Sequence, residues 1–321
     1  MLTQNINFKN FKNKKKNIKI ANQLKILLKE NNQILNSFGN NYKDYFKKSN
    51  ILKYKSYSNL TIIGMGGSIL GAKAIYNFLK KKVKKKIIFE DNFDLKKVSN
   101  KKNLNLVISK SGNTLETIAN VNILINKNQK NIFITENKDS YLLTLAKKLK
   151  AEIIHHNNYI GGRYSVLSEV GMLPATLMGL NIKKFRRFNN LVKNKKFINS
   201  LILNVSNTLK LINNNKTNSI ILNYDNDSSD LFKWYQQLIA ESLGKKGKGL
   251  FPIISHMPQD NHSLMQLYLD GPKNNFFTLF FANDNFSEKI RGEKILSSHN
   301  YLKGKKLNDI NFSQYAATIK A

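Results

Sequence analysis

The chain has 321 residues, with 53 Lys plus Arg against 20 Asp plus Glu, a formal net charge of +33 and no cysteine. Such a length can bury a large core and suggests two domains, while the missing thiols exclude disulfides and thiolate chemistry and suit a reducing cytoplasm. The N-terminus has no apolar signal core and the longest apolar runs, such as 276–281, are far too short for a membrane span, so a cytoplasmic protein with no membrane partner is expected.

Lysine supplies nearly all of the excess charge, in runs such as Lys14-Lys15-Lys16, Lys80-Lys81-Lys82 and Lys84-Lys85-Lys86. Only Arg163, Arg186, Arg187 and Arg291 are arginine. No zinc-finger spacing, basic region leading into heptads or aromatic RNA-binding signature accompanies the charge, so no specific nucleic-acid partner is expected. The surplus would still draw small anionic substrates towards a cleft.

In chain order, the lysine-rich residues 1–50 read as helices wrapping a core. Short apolar runs then alternate with amphipathic stretches: strands at 60–63, 86–89, 104–108, 132–135 and 152–154, and helices at 71–79, 114–125 and 142–149. This rhythm predicts a parallel sheet with helices on both faces. After a helical stretch around 165–195 comes a second set, with strands at 219–223, 250–254 and 276–281 and a helix running from Leu231. The fold class is therefore α/β: two parallel sheets, each flanked by helices in three layers. One domain is expected over residues 1–180 and a second over 181–321.

Three places carry chemistry. The run Leu60-Thr61-Ile62-Ile63 breaks into Gly64-Met65-Gly66-Gly67-Ser68, where glycines permit close backbone approach and a helix start offers free N–H groups to an anion. A dinucleotide site is the alternative, with Glu90 or Asp91 as its ribose acid. Ile69 stands where that fingerprint requires its third glycine. The strand ending at Ile108 leads into Ser109-Lys110-Ser111-Gly112-Asn113-Thr114-Leu115-Glu116, which brings hydroxyls, an ammonium and a helix start together. Phosphate monoesters are held by such a set, although a serine-rich cap gives the same letters. Asn113 and Glu116 have the spacing of a capping box.

The third place is the helix containing Leu231, Trp234, Tyr235, Leu238 and Ile239, an apolar stripe with Glu241 on its flank. A half-buried carboxylate there would be pushed towards the range of a general base, or it could simply reach water or pair with Lys245. Gly244 is placed to end the helix in the left-handed conformation.

Five blocks in order resemble the phosphoglucose isomerase family, whose two domains are of the sugar-isomerase (SIS) type. They are Gly64-Met65-Gly66-Gly67-Ser68-Ile69-Leu70-Gly71; residues 109–117; Gly161-Gly162-Arg163-Tyr164-Ser165; residues 234–245; and Asp260-Asn261-His262-Ser263-Leu264-Met265-Gln266-Leu267. The wording of Trp234-Tyr235-Gln236-Gln237 and Tyr268-Leu269-Asp270-Gly271-Pro272 is similar to the prokaryotic branch. The resemblance implies interconversion of glucose 6-phosphate and fructose 6-phosphate through a cis-enediol, with neither metal nor cofactor. It implies Glu241 as base, Arg163 as oxyanion partner, and His262 as ring-opening acid/base contributed by a neighbouring subunit of a homodimer. Ser68, Ser109, Lys110, Ser111 and Thr114 would hold the phosphate, with Gly66, Gly67 and Gly162 shaping the loops. The family carries a further lysine in a block like Asp-Gln-Pro-Gly-Val-Glu, whereas this sequence stops at Ile319-Lys320-Ala321. A C-terminally incomplete second domain is therefore expected. A non-catalytic sugar-phosphate binder and a dual-specificity glucose/mannose phosphate isomerase stand as alternatives, the second disfavoured by the 234–245 block.

Overall fold

The computed structural model describes residues 17–95 and 103–321. The chain divides into two compact units, Met1–Lys210 and Leu211–Ala321. Helices α1 (Ile18–Leu27), α2 (Gln33–Phe38) and α3 (Lys48–Leu52) open the first unit, the first two within the stretch 1–50 read as N-terminal helices and the third running past its end. Residues 1–16 of that stretch, with the Lys14-Lys15-Lys16 run, lie outside the described residues.

The first sheet is made of β1 (Asn59–Gly64), β2 (Lys86–Glu90), β3 (Asn103–Ile108), β4 (Lys130–Thr135) and β5 (Glu152–His155). All neighbours are parallel, in the order β2-β1-β3-β4-β5. Strands β1 and β3 are buried along their whole length, which is why they read as largely apolar runs without polar alternation along their exit halves. The connecting helices are α4 (Leu70–Leu79), α5 (Leu115–Leu124) and α6 (Tyr141–Lys148). Val121 of α5 and Leu142 and Ala146 of α6 pack with Ile63, Val107 and Phe133 on one face. Side chains alternate along a strand, so Ile62, Leu106 and Ile134 point to the other face. Helix α7 (Glu169–Leu177) follows β5; α8 (Phe188–Lys193) and α9 (Lys195–Asn213) come next, with α9 running across the division between the units.

The second unit repeats the plan with fewer strands. β6 (Asn218–Asn223), β7 (Phe251–His256) and β8 (Asn275–Phe280) are parallel in the order β7-β6-β8. On one face Ile220, Leu222 and Tyr224 gather Met265 and Tyr268 of α11 (Met265–Asp270) and Tyr315 of α12 (Leu307–Lys320). On the other lies α10 (Ser229–Leu243), with Phe232 edge-on to Phe280 and Gln236 Nε2 donating to Pro252 O at 2.7 Å. The architecture is the expected one: two parallel α/β sheets flanked by helices.

Candidate active site

In open parallel sheets the loops beyond the carboxyl ends of the strands form the ligand edge, where the strand order reverses. In the first unit the reversal lies at β1, between β2 and β3. The two loops singled out in the sequence follow β1 and β3, so adjacent strands deliver them side by side. After β1 the chain makes one 3-10 turn, Gly66–Ser68, before α4. Gly66 has φ +54°, and Ser68 stands half-buried beside Gly64.

The third segment arrives from β5. A side chain on Gly67 would put its Cβ 2.3 Å from the carbonyl carbon of Gly162 and 2.5 Å from the backbone nitrogen of Arg163. The two loops therefore touch backbone to backbone, and only glycine allows it. This contact sets Arg163 against the β1 loop. The segment is well anchored: Ser165 Oγ donates to Gly162 O at 2.6 Å, and Val166 seats against Gly71 of α4 and Gly171 of α7. The guanidinium of Arg163 lies over the Tyr164 ring, 4.7 Å from its centre.

The loop after β3 is closed from within. Ser109 is buried, its Oγ 3.0 Å from Thr114 Oγ1 and accepting from Gly112 N at 3.2 Å. Ser111 Oγ is exposed and accepts from Asn113 N at 3.2 Å. Gly112 needs φ +65°, and a Cβ there would fall 2.2 Å from Ser140 Oγ. The capping box expected from Asn113 and Glu116 does not form on α5. The N-cap is Thr114, without a side-chain bond, and Asn113 Oδ1 instead accepts from Tyr141 N at 2.9 Å, at the start of α6. Tight loop curvature points Asn113 at its neighbour rather than back along its own helix.

Lys110 is held on the far side of this loop. Its ammonium lies 3.3 Å from Glu136 Oε1 and donates to Asn158 O at 2.8 Å. Neither partner was found in the sequence. Behind them His156 is fully buried, and its imidazole is pushed down to about 4, chiefly by burial. Asp91, the acid a dinucleotide site would need, is instead engaged by Lys73 at 2.7 Å.

Glu241 and His262 belong to the second unit. Helix α10 starts beyond the carboxyl end of β6 and runs back along the sheet, so Gln236 reaches the first residues of β7. Glu241 lies a further turn and more past that edge and is exposed rather than half-buried. The helix overhangs its own sheet there, which the apolar stripe did not reveal. Gly244 ends α10 at φ −73°, not in the left-handed region; the left-handed residues are Lys246 and Gly247, inside a turn closed by Lys245 and Lys248. His262 is also exposed, following the 3-10 turn Gln259–Asn261 just beyond the carboxyl end of β7. Glu241 and His262 thus occupy opposite edges of one sheet.

Nine of the predicted residues lie on three neighbouring loops of the first unit: Gly66, Gly67 and Ser68 after β1, Ser109, Lys110, Ser111 and Thr114 after β3, and Gly162 and Arg163 after β5, with the Lys110 ammonium turned away to Glu136 and Asn158. A hydroxyl-rich loop pair at the switch edge of a parallel sheet, in a chain that carries a second parallel α/β sheet, is the pattern of an α/β protein of the sugar-phosphate isomerase class. The profile of the phosphoglucose isomerase family matches residues 38–251, and the chain belongs to that family of isomerases. The glucose-6-phosphate isomerase of Methanocaldococcus jannaschii is 36% identical over 278 residues, covering 79% of this chain and 68% of that protein. Its counterpart from Mycoplasmopsis pulmonis is 32% identical, covering 85% of this chain and 70% of that protein. The chain thus spans about two thirds of the length of these curated relatives. Two crystal structures share the fold at 22% identity: a hypothetical protein from Thermus thermophilus, with TM-score 0.77 over 94% of this chain and 79% of that one, and a glucose-6-phosphate isomerase from Chlamydia trachomatis, with 0.63 over 84% and 57%. Among the described residues no helix is long and apolar enough to cross a membrane.

Proposed function

We propose that this chain interconverts glucose 6-phosphate and fructose 6-phosphate through a cis-enediol, using Glu241, His262 and Arg163, as a cytoplasmic homodimer. Ser68, Ser109, Ser111 and Thr114 hold the phosphate with hydroxyl donors, and Lys110 adds charge behind them. Starting from the aldose, His262 passes a proton from the anomeric hydroxyl to the ring oxygen, and the ring bond breaks to give the open aldehyde. Glu241 takes the proton from C2. The C–H electron pair becomes the C1–C2 double bond and negative charge moves to O1. Arg163 stabilises that oxyanion, a task suited to a permanently charged, rigid donor fork. After a proton moves from O2 to O1, the O2 electron pair forms the ketone and Glu241 returns its proton to C1.

The observation that carries this reading is the Gly67–Gly162 contact, which fixes Arg163 beside the loop proposed to hold the phosphate. The opposed positions of Glu241 and His262 support shared sites, with each His262 serving a second copy. An exposed Glu241 fits a carboxylate that meets substrate rather than core. The test is conversion of fructose 6-phosphate by the purified chain. Glu241→Gln should lower kcat by about 10²–10⁴-fold with KM nearly unchanged. A Glu241→Gln variant as fast as the parent would refute the assignment.

A further inference from the structure

Between the end of β7 and the start of α11 the chain must turn away from the sheet while presenting His262, and one carboxylate ties that turn together. Asp260 Oδ2 accepts from Ser255 Oγ at 2.8 Å and from His256 N at 2.7 Å. Its Oδ1 accepts from Ser263 Oγ at 3.0 Å, and its carbonyl accepts from Leu264 N at 2.9 Å. The last two residues of β7 are thus joined to the residue that follows His262. Ser255 is fully buried, so the inner end of the tie is fixed in the sheet. The outer end leaves His262 exposed, its backbone N–H donating to Gln259 O at 3.1 Å. Burial works against the charge on Asp260, yet the three donors outweigh it and hold the carboxyl below its ordinary value. Bonds to a carboxylate are short and strong, which suits a tie rather than a surface cap. Asp260 does not cap α11, whose N-cap is Leu264.

We propose that Asp260 is the positioning residue of His262, setting the turn so that the imidazole is presented at the ring oxygen of the sugar. This rests on the role given to His262 above. A structural anchor alone would weaken folding or binding, whereas a positioning residue acts only through the group it places. The experiment is therefore a double-mutant cycle on the full chain with fructose 6-phosphate, using Asp260→Ala, His262→Ala and the pair.

Asp260→Ala should lower kcat by about 10²-fold, the scale of a misplaced catalytic group, with KM within about threefold. In the His262→Ala background the same change should cost less than about twofold. Asp260→Asn should recover much of the loss. Its amide oxygen can accept from both Ser255 and His256, and the Ser263 hydroxyl can rotate to accept from its amide. Wild-type turnover by Asp260→Ala, or losses that multiply in the double mutant, would overturn the proposal. The C2–H proton resonance of His262, assigned by its disappearance in His262→Ala, is read alongside. Should the parent chain itself not turn over, the isomerase reading fails on its own. Asp260 still stands if that resonance moves in Asp260→Ala, and falls if it does not.

Discussion

Replacing Gly67 by alanine probes the contact on which the proposed site depends. Gly67 has an ordinary φ, so the new methyl group introduces no backbone strain and acts only by collision. It would meet the Gly162 carbonyl carbon at 2.3 Å, Arg163 N at 2.5 Å and Gly162 O at 2.7 Å, all of them backbone atoms that no rotamer can move. Ordinary contact begins at 3.4 Å, so the two loops must part by about 1.1 Å, the difference between 3.4 and 2.3 Å. A displacement of that size at a reacting group costs about 10²-fold in rate. Overpacking also costs about 1–3 kcal/mol, which lowers Tm by several degrees in a unit of this size. The assay is kcat/KM for fructose 6-phosphate beside a thermal melt. The expected result is a kcat/KM drop of about 10²-fold in protein that remains folded at the assay temperature. A folded Gly67→Ala chain with parental kcat/KM would refute the claim that this contact positions Arg163.

Glu136→Gln keeps a hydrogen bond to Lys110 but removes its charge partner, a pair at 3.3 Å with both side chains under one-third exposed. The ammonium then acts more fully on the loop, so KM should fall about two- to fivefold at low salt and the gain should vanish near 1 M salt; a raised KM would mean that the ion pair itself aligns the loop. His156 is neutral when folded, pushed from 6.5 down to about 4 by burial, so the unfolded chain binds more protons between those values. Its contribution is complete above about pH 6.5 and is lost as pH falls towards 4, by roughly 3 kcal/mol. His156→Gln should therefore lose less Tm than the parent between pH 7 and pH 4.5, and equal losses would refute the assignment. With a net charge of +33, the chain should be retained on heparin at low salt and released steeply as salt rises. Flow-through at low salt would count against it.

The first sheet was legible because buried parallel strands leave short, largely apolar runs. Strands read at 60–63 and 104–108 are Asn59–Gly64 and Asn103–Ile108, with polar residues at their entry ends where Thr61 Oγ1, Asn103 and Asn105 hydrogen-bond one another. Helix α12 was not legible. In LNDINFSQYAATIK no residue is buried, and its hold on the second unit includes Tyr315 in the aromatic cluster and Thr318 against Tyr224. A helix fastened by a few mid-sequence contacts carries no periodic signal.

The Lys110–Glu136 pair shows where the missing information lay. β3 and β4 pair Ile108 with Ile134, and both Lys110 and Glu136 stand two residues beyond, so the parallel register itself brings them together: Glu136 N donates to Lys110 O at 3.1 Å. The letters held the pair, but only the register, which depends on which strands are neighbours, reveals it. The same logic applies to Glu241 and His262. Both lie in the second unit, and only the resemblance to the isomerase family, not their spacing, implies that they act from different subunits. A helix that runs antiparallel to its sheet must carry its last turn to the entry edge, while a residue after β7 must lie at the exit edge. Two groups so divided fit the shared site proposed above, in which a second copy of the chain brings its own His262 to Glu241 and the proposed isomerase activity belongs to the pair.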